Sequence, residues 1–325
     1  MLIKSADDKQ PQLETLASLL ARSDLGAETR RRIDQEVRSV RSGIAGERDA
    51  AYQIDFYFGP SPNWMVIHDL RLEVDGRVAQ IDHLLLGRTF DVWVCESKHF
   101  AQGVGVNEHG EWTAYYGREA RGIPSPVEQN RRHTAVLQDV FRSRLVWMPS
   151  RLGILVRPSI QSLVLISADA RISRPKGQAA QKVDGVGSVI KADQLRRTIE
   201  KHDDTMSGPA AIVSLAKVVR PDTIERVARE LVALHRPITI DFAAKFGLSH
   251  EPGATHAISG PAIAPEARAV PEVKDAGTAT SPTCAVCGRA VSKGVVDFCA
   301  AYPKRFAGRT LCISCQRRPR DVATA

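Results

Sequence analysis

The sequence predicts an α/β protein, with a sheet covered on both sides, followed by a small cysteine-rich module. Three observations carry this. A long amphipathic stripe precedes a series of apolar, strand-length runs. Further helical patterns alternate with buried-strand patterns downstream. Five of the six cysteines lie after residue 283. The chain has 325 residues, 43% hydrophobic and 25% charged, enough to bury one large or two modest domains.

Residues 1–39 form a predicted N-terminal helical region, beginning with the short amphipathic stretch "QLETLASLLARS". A longer helix is expected from about Ala27 to Phe58, closed by Gly59-Pro60. Its apolar row is Ile33, Val37, Val40, Ile44, Ala51, Ile54 and Phe58, stepping by three and four. Glu47 interrupts that row. An acid on a core-facing line has to be paired, protonated or bound to a cation; otherwise the row has been drawn too long and Glu47 is a surface acid.

Strand-like runs follow at Met65 to Val74, Val78 to Leu86 and Asp91 to Lys98, with a hairpin signal at Asp75-Gly76. The aromatic, Gly-rich stretch "GVGVNEHGEWTAYYG" reads as a short β-meander. Ser125-Pro126 opens a helix reaching about Leu145, and "SLVLIS" (162–167) is a buried strand. "GSVIKADQLRRTIEKH" reads as a strand and a helix, and "PDTIERVARELVALH" as a further amphipathic helix. Residues 251–283 are rich in Ala, Pro, Gly, Ser and Thr, a linker composition.

Pairing residues 78–86 with 91–98 as an antiparallel hairpin sets 86 against 92, 84 against 94 and 82 against 96. Asp82 and Glu96 then face each other at roughly 5 Å, with Lys98 on the same side. Ile81, Leu85, Trp93 and Cys95 are expected on the other face. Two carboxylates that close repel, and burial worsens the conflict. A hard divalent cation such as Mg²⁺ or Mn²⁺ held by Asp82 and Glu96 relieves it, and Lys98 could stabilise charge on a phosphoryl group. The same three residues could equally form a solvated ion cluster. Gln129 and His133, four residues apart on the helix after Ser125, read alone as a core-edge pair.

The blocks "GIAGERDA", "VAQIDHLLL", "DVWVCESK" and "SPVEQNRRHTAVL" resemble the nuclease-related domain (NERD) of the PD-(D/E)xK nuclease superfamily. Thirteen residues separate Asp82 from Glu96-Ser97-Lys98, a D…ExK core. The four blocks lie in order across residues 40–165, the motif core of a domain drawn over 40–250. The resemblance implies a restriction-endonuclease-like mixed β-sheet core flanked by helices, and Mg²⁺- or Mn²⁺-dependent phosphodiester hydrolysis. It implies Glu47, Asp82, Glu96, Lys98 and Gln129 as active-site residues, with Gln80 and His133 in matching positions. Ser97, where the family more often has threonine, is expected to face away from the site.

Residues 284–325 hold Cys284-x2-Cys287 and Cys312-x2-Cys315, two knuckles that supply the four thiolates of a structural Zn²⁺ site. A segment this small scarcely folds without metal. Cys299 is read as a core residue. Between 284 and 320, eight Lys or Arg stand against one acid, with Phe298, Tyr302 and Phe306 among them. This pattern suits a grip on nucleic acid and equally a protein-contact surface. The module resembles the zinc-ribbon-like tails of some bacterial nuclease-related-domain proteins.

The net charge of +8 suits a polyanionic partner, DNA first. No run reaches the ~18 apolar residues of a membrane span, so no membrane partner is expected. The N-terminus lacks a secretory apolar core, so a cytoplasmic protein is expected. The function expected is a metal-dependent DNA nuclease with a zinc module for docking substrate or a protein partner. The alternative is a nucleic-acid-binding or assembly protein that keeps the fold without cutting.

Overall fold

A computed structural model describes residues 1–248, apart from 101, 152, 178–182 and 206–216. Beyond these it describes 282–288, 291, 296, 299–300, 306, 308–311 and 315. The predicted linker, 251–283, lies almost wholly outside the described residues. The chain divides into two compact units, Met1–Ala254 and Thr255–Ala325.

In the first unit, β1 (Leu2–Lys4) and α1 (Gln10–Ala21) lead into α2 (Ala27–Phe58), which has the predicted bounds. Three strands follow: β2 (Trp64–Val74), β3 (Arg77–Gly87) and β4 (Asp91–Lys98). Asp75 and Gly76 turn the first hairpin with φ of 49° and 75°, the left-handed pair that a two-residue turn needs. The predicted meander is β5 (Gly103–Val106), β6 (Trp112–Tyr116) and β7 (Glu119–Ile123).

Helix α3 (Pro126–Arg142) starts where Ser125 and Pro126 place it: the Ser125 hydroxyl accepts from the Glu128 amide at 3.2 Å, and proline occupies the first turn. After it come β8 (Ser150–Arg151), β9 (Ile154–Leu155), β10 (Ser159–Ile166), β11 (Arg171–Ser173) and β12 (Val189–Lys191). Helices α4 (Leu195–Thr205), α5 (Pro221–Ala233) and α6 (Phe242–Lys245) follow.

The main sheet is six-stranded and mixed, in the order β1-β2-β3-β4-β10-β12, and a second sheet runs β11-β5-β6-β7. β3 is antiparallel to both β2 and β4, whereas β10 is parallel to β4 and β12. Helices cover both faces of the main sheet, which explains why β4 is almost continuously apolar. On one face, Ala50, Ile54 and Phe58 of α2 and Leu195 and Ile199 of α4 pack on Leu85, Trp93 and Cys95. On the other, Val136, Leu137 and Val140 of α3 and Leu231 of α5 pack on Leu84, Leu86, Val92 and Val94. Each fully buried side chain of this size contributes roughly 1.5–3 kcal/mol.

One expected placement changes. Ile81 lies in the α3–α5 core with Leu70 and Leu72, not with Leu85 and Trp93. In β2, Ile67 precedes the change of alternation and Leu70 follows it, and Asp69 between them has a φ of 53°. A left-handed residue turns the next side chain to the opposite face, and the paired strand follows. Among the described residues no helix is long and apolar enough to cross a membrane.

Candidate metal centre

The β3–β4 ladder has the predicted register, with Leu86 against Val92 and Leu84 against Val94, and it ends at His83–Cys95. One residue further, Asp82 does not simply face Glu96. Its Oδ2 accepts from the Ser97 amide at 2.8 Å and from the Ser97 hydroxyl at 2.9 Å. Ser97 was expected to point away; it instead holds the acid by two bonds, because the ladder opens there and leaves its amide to be satisfied by a side chain. Among the described residues, Asp82 Oδ1 takes no hydrogen bond.

Glu96 is almost inaccessible, with its side chain 2% exposed, while that of Lys98 is 31% exposed. Lys98 Nζ lies 2.8 Å from Glu96 Oε1, and Gln129 Nε2 of α3 donates to the same oxygen at 2.7 Å. His133 Nδ1 stands 3.3 Å from Oε2 but out of line for a hydrogen bond, so this buried oxygen keeps a lone pair. Asn130, between them on α3, is fully buried. Its Nδ2 reaches the carbonyls of Val94 at 2.9 Å and Leu163 at 2.8 Å, pinning α3 across β4 and β10. Gln129 and His133 are thereby presented to Glu96.

Glu47 arrives from the opposite helix. Gly46 beside it lies so close to β4 that a Cβ there would meet His99 Cβ at 2.8 Å and the His99 amide nitrogen at 3.1 Å. Only glycine lets α2 approach this end of the strand. Glu47 Oε2 is hydrogen-bonded by Lys9 Nζ, and that ammonium is 3.8 Å from Asp69 Oδ2. Asp69 stands opposite Asp82, between the pairs His68–His83 and Leu70–Ile81, and accepts from Gln80 Nε2 at 3.2 Å.

The electrostatics follow from this crowding. Burial, and then the charges of Glu96 and Glu47, push the Asp82 carboxyl up to about 8, against the pull of the Ser97 bonds. Burial raises Glu47 as well, only partly offset by Lys9. Burial also acts on Glu96, but His133 and Lys98 outweigh it and hold that carboxyl below its usual range. For Lys9, loss of hydration is outweighed by Glu47, Asp69 and Asp82, which keep its ammonium charged above the ordinary lysine range.

All five predicted residues thus meet at one end of the sheet. Glu96 with Lys98 and Gln129 forms a directly bonded group; Asp82 and Glu47 adjoin it through their charges. Three neighbours escaped sequence reasoning: Lys9, Asp69 and Asn130. The only signal for Asp69 is the pair His68-Asp69 inside an otherwise apolar run.

Residues 42–167 match the family model of the nuclease-related domain, NERD. This stretch is a nuclease-related domain. The match takes in Glu47, Asp82, Glu96, Lys98 and Gln129, and the restriction-endonuclease-like α/β architecture agrees with it. Lys9 lies outside the NERD match. No curated protein and no solved structure matches the chain.

In the second unit the sulfur atoms of Cys284, Cys287 and Cys315 all lie within 4.8 Å of one another, an arrangement compatible with zinc. The turn after the first pair is closed by the Gly288 amide donating to the Cys284 carbonyl at 2.9 Å, with Gly288 at a φ of 68°. Cys312 lies outside the described residues, as do Phe298, Tyr302 and most of the basic side chains. Cys299 is buried and its sulfur accepts from the Leu311 amide at 3.4 Å. Phe306, expected among the aromatic side chains available for stacking, is instead buried.

Proposed function

We propose that the first unit is a divalent-metal-dependent nuclease that hydrolyses DNA phosphodiester bonds. The observation supporting this most is the convergence of Asp82, Glu96 and Glu47 from three separate elements, with Lys98 bonded to Glu96. A crowded, buried Asp82 carboxyl, whose charge a cation would stabilise, and a buried Glu96 oxygen without a hydrogen bond form a hard, oxygen-only donor set that fits Mg²⁺ or Mn²⁺. Asp82 and Glu96 would hold the ion, with Glu47 beside them. Such an ion supplies Lewis-acid polarisation of a phosphoryl group.

The side chains divide the remaining work. Ser97 fixes the Asp82 carboxylate and leaves Oδ1 for a ligand. Gln129 fixes Glu96 through Oε1 and leaves Oε2. Lys98, more exposed than Glu96 and Glu47, would pair its ammonium with a phosphate oxygen as negative charge develops. The second unit would bind Zn²⁺ through Cys284, Cys287, Cys312 and Cys315 and dock substrate or a protein partner through its basic residues. Thiolate ligands suit a reducing compartment such as the cytoplasm.

The test is cleavage of supercoiled and linear DNA by wild type, Asp82→Ala and Lys98→Ala, with Mg²⁺, Mn²⁺ or EDTA. Cleavage that needs metal and drops by about 10²–10⁴-fold in each variant, with an unchanged circular dichroism spectrum, is the expected result. DNA binding without cleavage in any metal would transfer the assignment to a non-catalytic nucleic-acid-binding protein.

A further inference from the structure

The acidic centre contains a cation that the matched domain does not supply. Lys9 directly precedes α1, and its side chain is only 16% exposed. Its Nζ hydrogen-bonds Glu47 Oε2 and lies 3.8 Å from Asp69 Oδ2. The segment carrying it is anchored on both sides. Upstream, the N-terminal amine donates to the Ser61 carbonyl at 2.7 Å, and β1 pairs in parallel with β2. Lys4 Nζ donates to the carbonyls of His68 and Asp69, each at 3.1 Å, and binds Asp7 at 2.7 Å. His235 holds the other oxygen of Asp7 at 2.9 Å. Downstream, Leu16 and Leu19 of α1 are buried against Ile33 and Val37 of α2 and Phe242 of α6.

A lysine held this way is not a surface side chain that happens to reach an acid. The backbone on either side commits its ammonium to the acidic centre, and the left-handed Asp69, whose other oxygen takes the Gln80 bond, completes its cradle. Burying an ammonium is costly without carboxylate partners, and two are provided. Any divalent ion shared by Asp82, Glu96 and Glu47 enters the same negative potential, so the two cations repel and Glu47 cannot serve both fully.

We propose that Lys9 is a tethered counter-cation of the metal centre. Its ammonium competes with the divalent ion for Glu47, so the N-terminal segment sets how tightly the nuclease-related domain takes up metal. The inference rests on reading Asp82, Glu96 and Glu47 as the metal site. It gives the segment ahead of the matched domain a role in the chemistry without any contact to substrate.

The test is a Mn²⁺ titration of the full-length chain at fixed pH and ionic strength. Free Mn²⁺ is read by electron paramagnetic resonance for wild type, Lys9→Met, Lys9→Ala, Lys9→Arg and Asp82→Asn. Lys9→Met keeps the apolar stem and guards against loss of folding in the alanine variant. Removing one competing charge-assisted hydrogen bond should tighten Mn²⁺ binding about tenfold in the Met and Ala variants. Lys9→Arg, which keeps the charge, should stay near wild type, and Asp82→Asn should lose binding.

Unchanged or weaker binding in Lys9→Met, with Asp82→Asn still losing it, overturns the role of Lys9 and leaves the metal centre standing. Tightening in Lys9→Arg equal to that in Lys9→Met overturns the charge argument. No Mn²⁺ binding by wild type or by either neutral variant overturns both readings. Binding that emerges only in the neutral variants supports the inference in its strongest form.

Discussion

The acidic centre of the first unit and the thiol cluster of the second are built on opposite plans. Asp82, Glu96, Glu47 and Gln129 come from β3, β4, α2 and α3, elements whose ends meet only because the six-stranded sheet has formed. Cys284, Cys287 and Cys315 come from two short stretches of the chain, and their sulfur atoms gather within 4.8 Å. In the first case the fold makes the site and bears the cost of crowding charges. In the second, the bound ion would make the fold. A buried apolar core can tolerate strained electrostatics, whereas a module with little core depends on its ligand bonds.

The largest expected effect comes from stripping zinc. A structural zinc site contributes apparent binding energy of about 10–16 kcal/mol to folding, so a strong chelator should unfold the second unit and leave the first intact. Limited proteolysis of the full chain would read this. Protection of residues 284–320 in the chelated protein would break the contrast between the two units.

The next effect is on pH dependence without divalent metal. The folded-state pKa of Asp82 lies well above the unfolded value near 4. The folded protein therefore binds more protons in between. Stability from this group is fully present below about pH 4 and is lost as pH rises toward about 8, with a slope of at most about 1.4 kcal/mol per pH unit. Glu47, also raised, acts in the same sense. Glu96, lowered, acts oppositely, but only as pH falls below its ordinary value of about 4.3. Urea unfolding at pH 5.5, 7 and 8.5 should show the decline in wild type, a flatter profile in Asp82→Asn, and recovery when Mn²⁺ is added. A flat wild-type profile would mean that the acidic centre is not strained at all.

The smallest effect is at Gly46. Alanine there gains up to about 1 kcal/mol in helix propensity and loses about 1–3 kcal/mol by overpacking against His99. A net destabilisation of about 0–3 kcal/mol is expected, together with weaker Mn²⁺ binding as α2 and Glu47 are pushed from β4. Unchanged binding would show that Glu47 tolerates displacement and is peripheral to the site.

Much of the architecture was legible because it is periodic. The α2 bounds follow from its amphipathic row and the Gly59-Pro60 stop, the β2–β3 hairpin from the Asp75-Gly76 turn, and the β3–β4 register from alternation on either side of the short connection after Gly87. The D…ExK spacing and the Q-x3-H pattern on α3 singled out Asp82, Glu96, Lys98 and Gln129 as candidates before any geometry, and the gap in the α2 row singled out Glu47. β1 was missed because three residues carry no period, and its pairing with β2 is parallel and distant in sequence. Ile81 was assigned to the wrong face because alternation assumes an unbroken strand, and Asp69 in the left-handed region reverses it.

The sequence by itself determined which residues are candidates for the chemistry: the carboxylates, the lysine and the cysteine pairs, since residue type and local spacing are written along the chain. Only the tertiary structure decided how they are held. Ser97 turned onto Asp82, Asn130 pinned α3, Asp69 stood opposite Asp82, and Lys9 reached Glu47. Each is a contact in space between segments far apart in the chain, or a backbone angle forced by packing. Local periodicity encodes neither, because those energies exist only once the sheet and its covering helices are assembled.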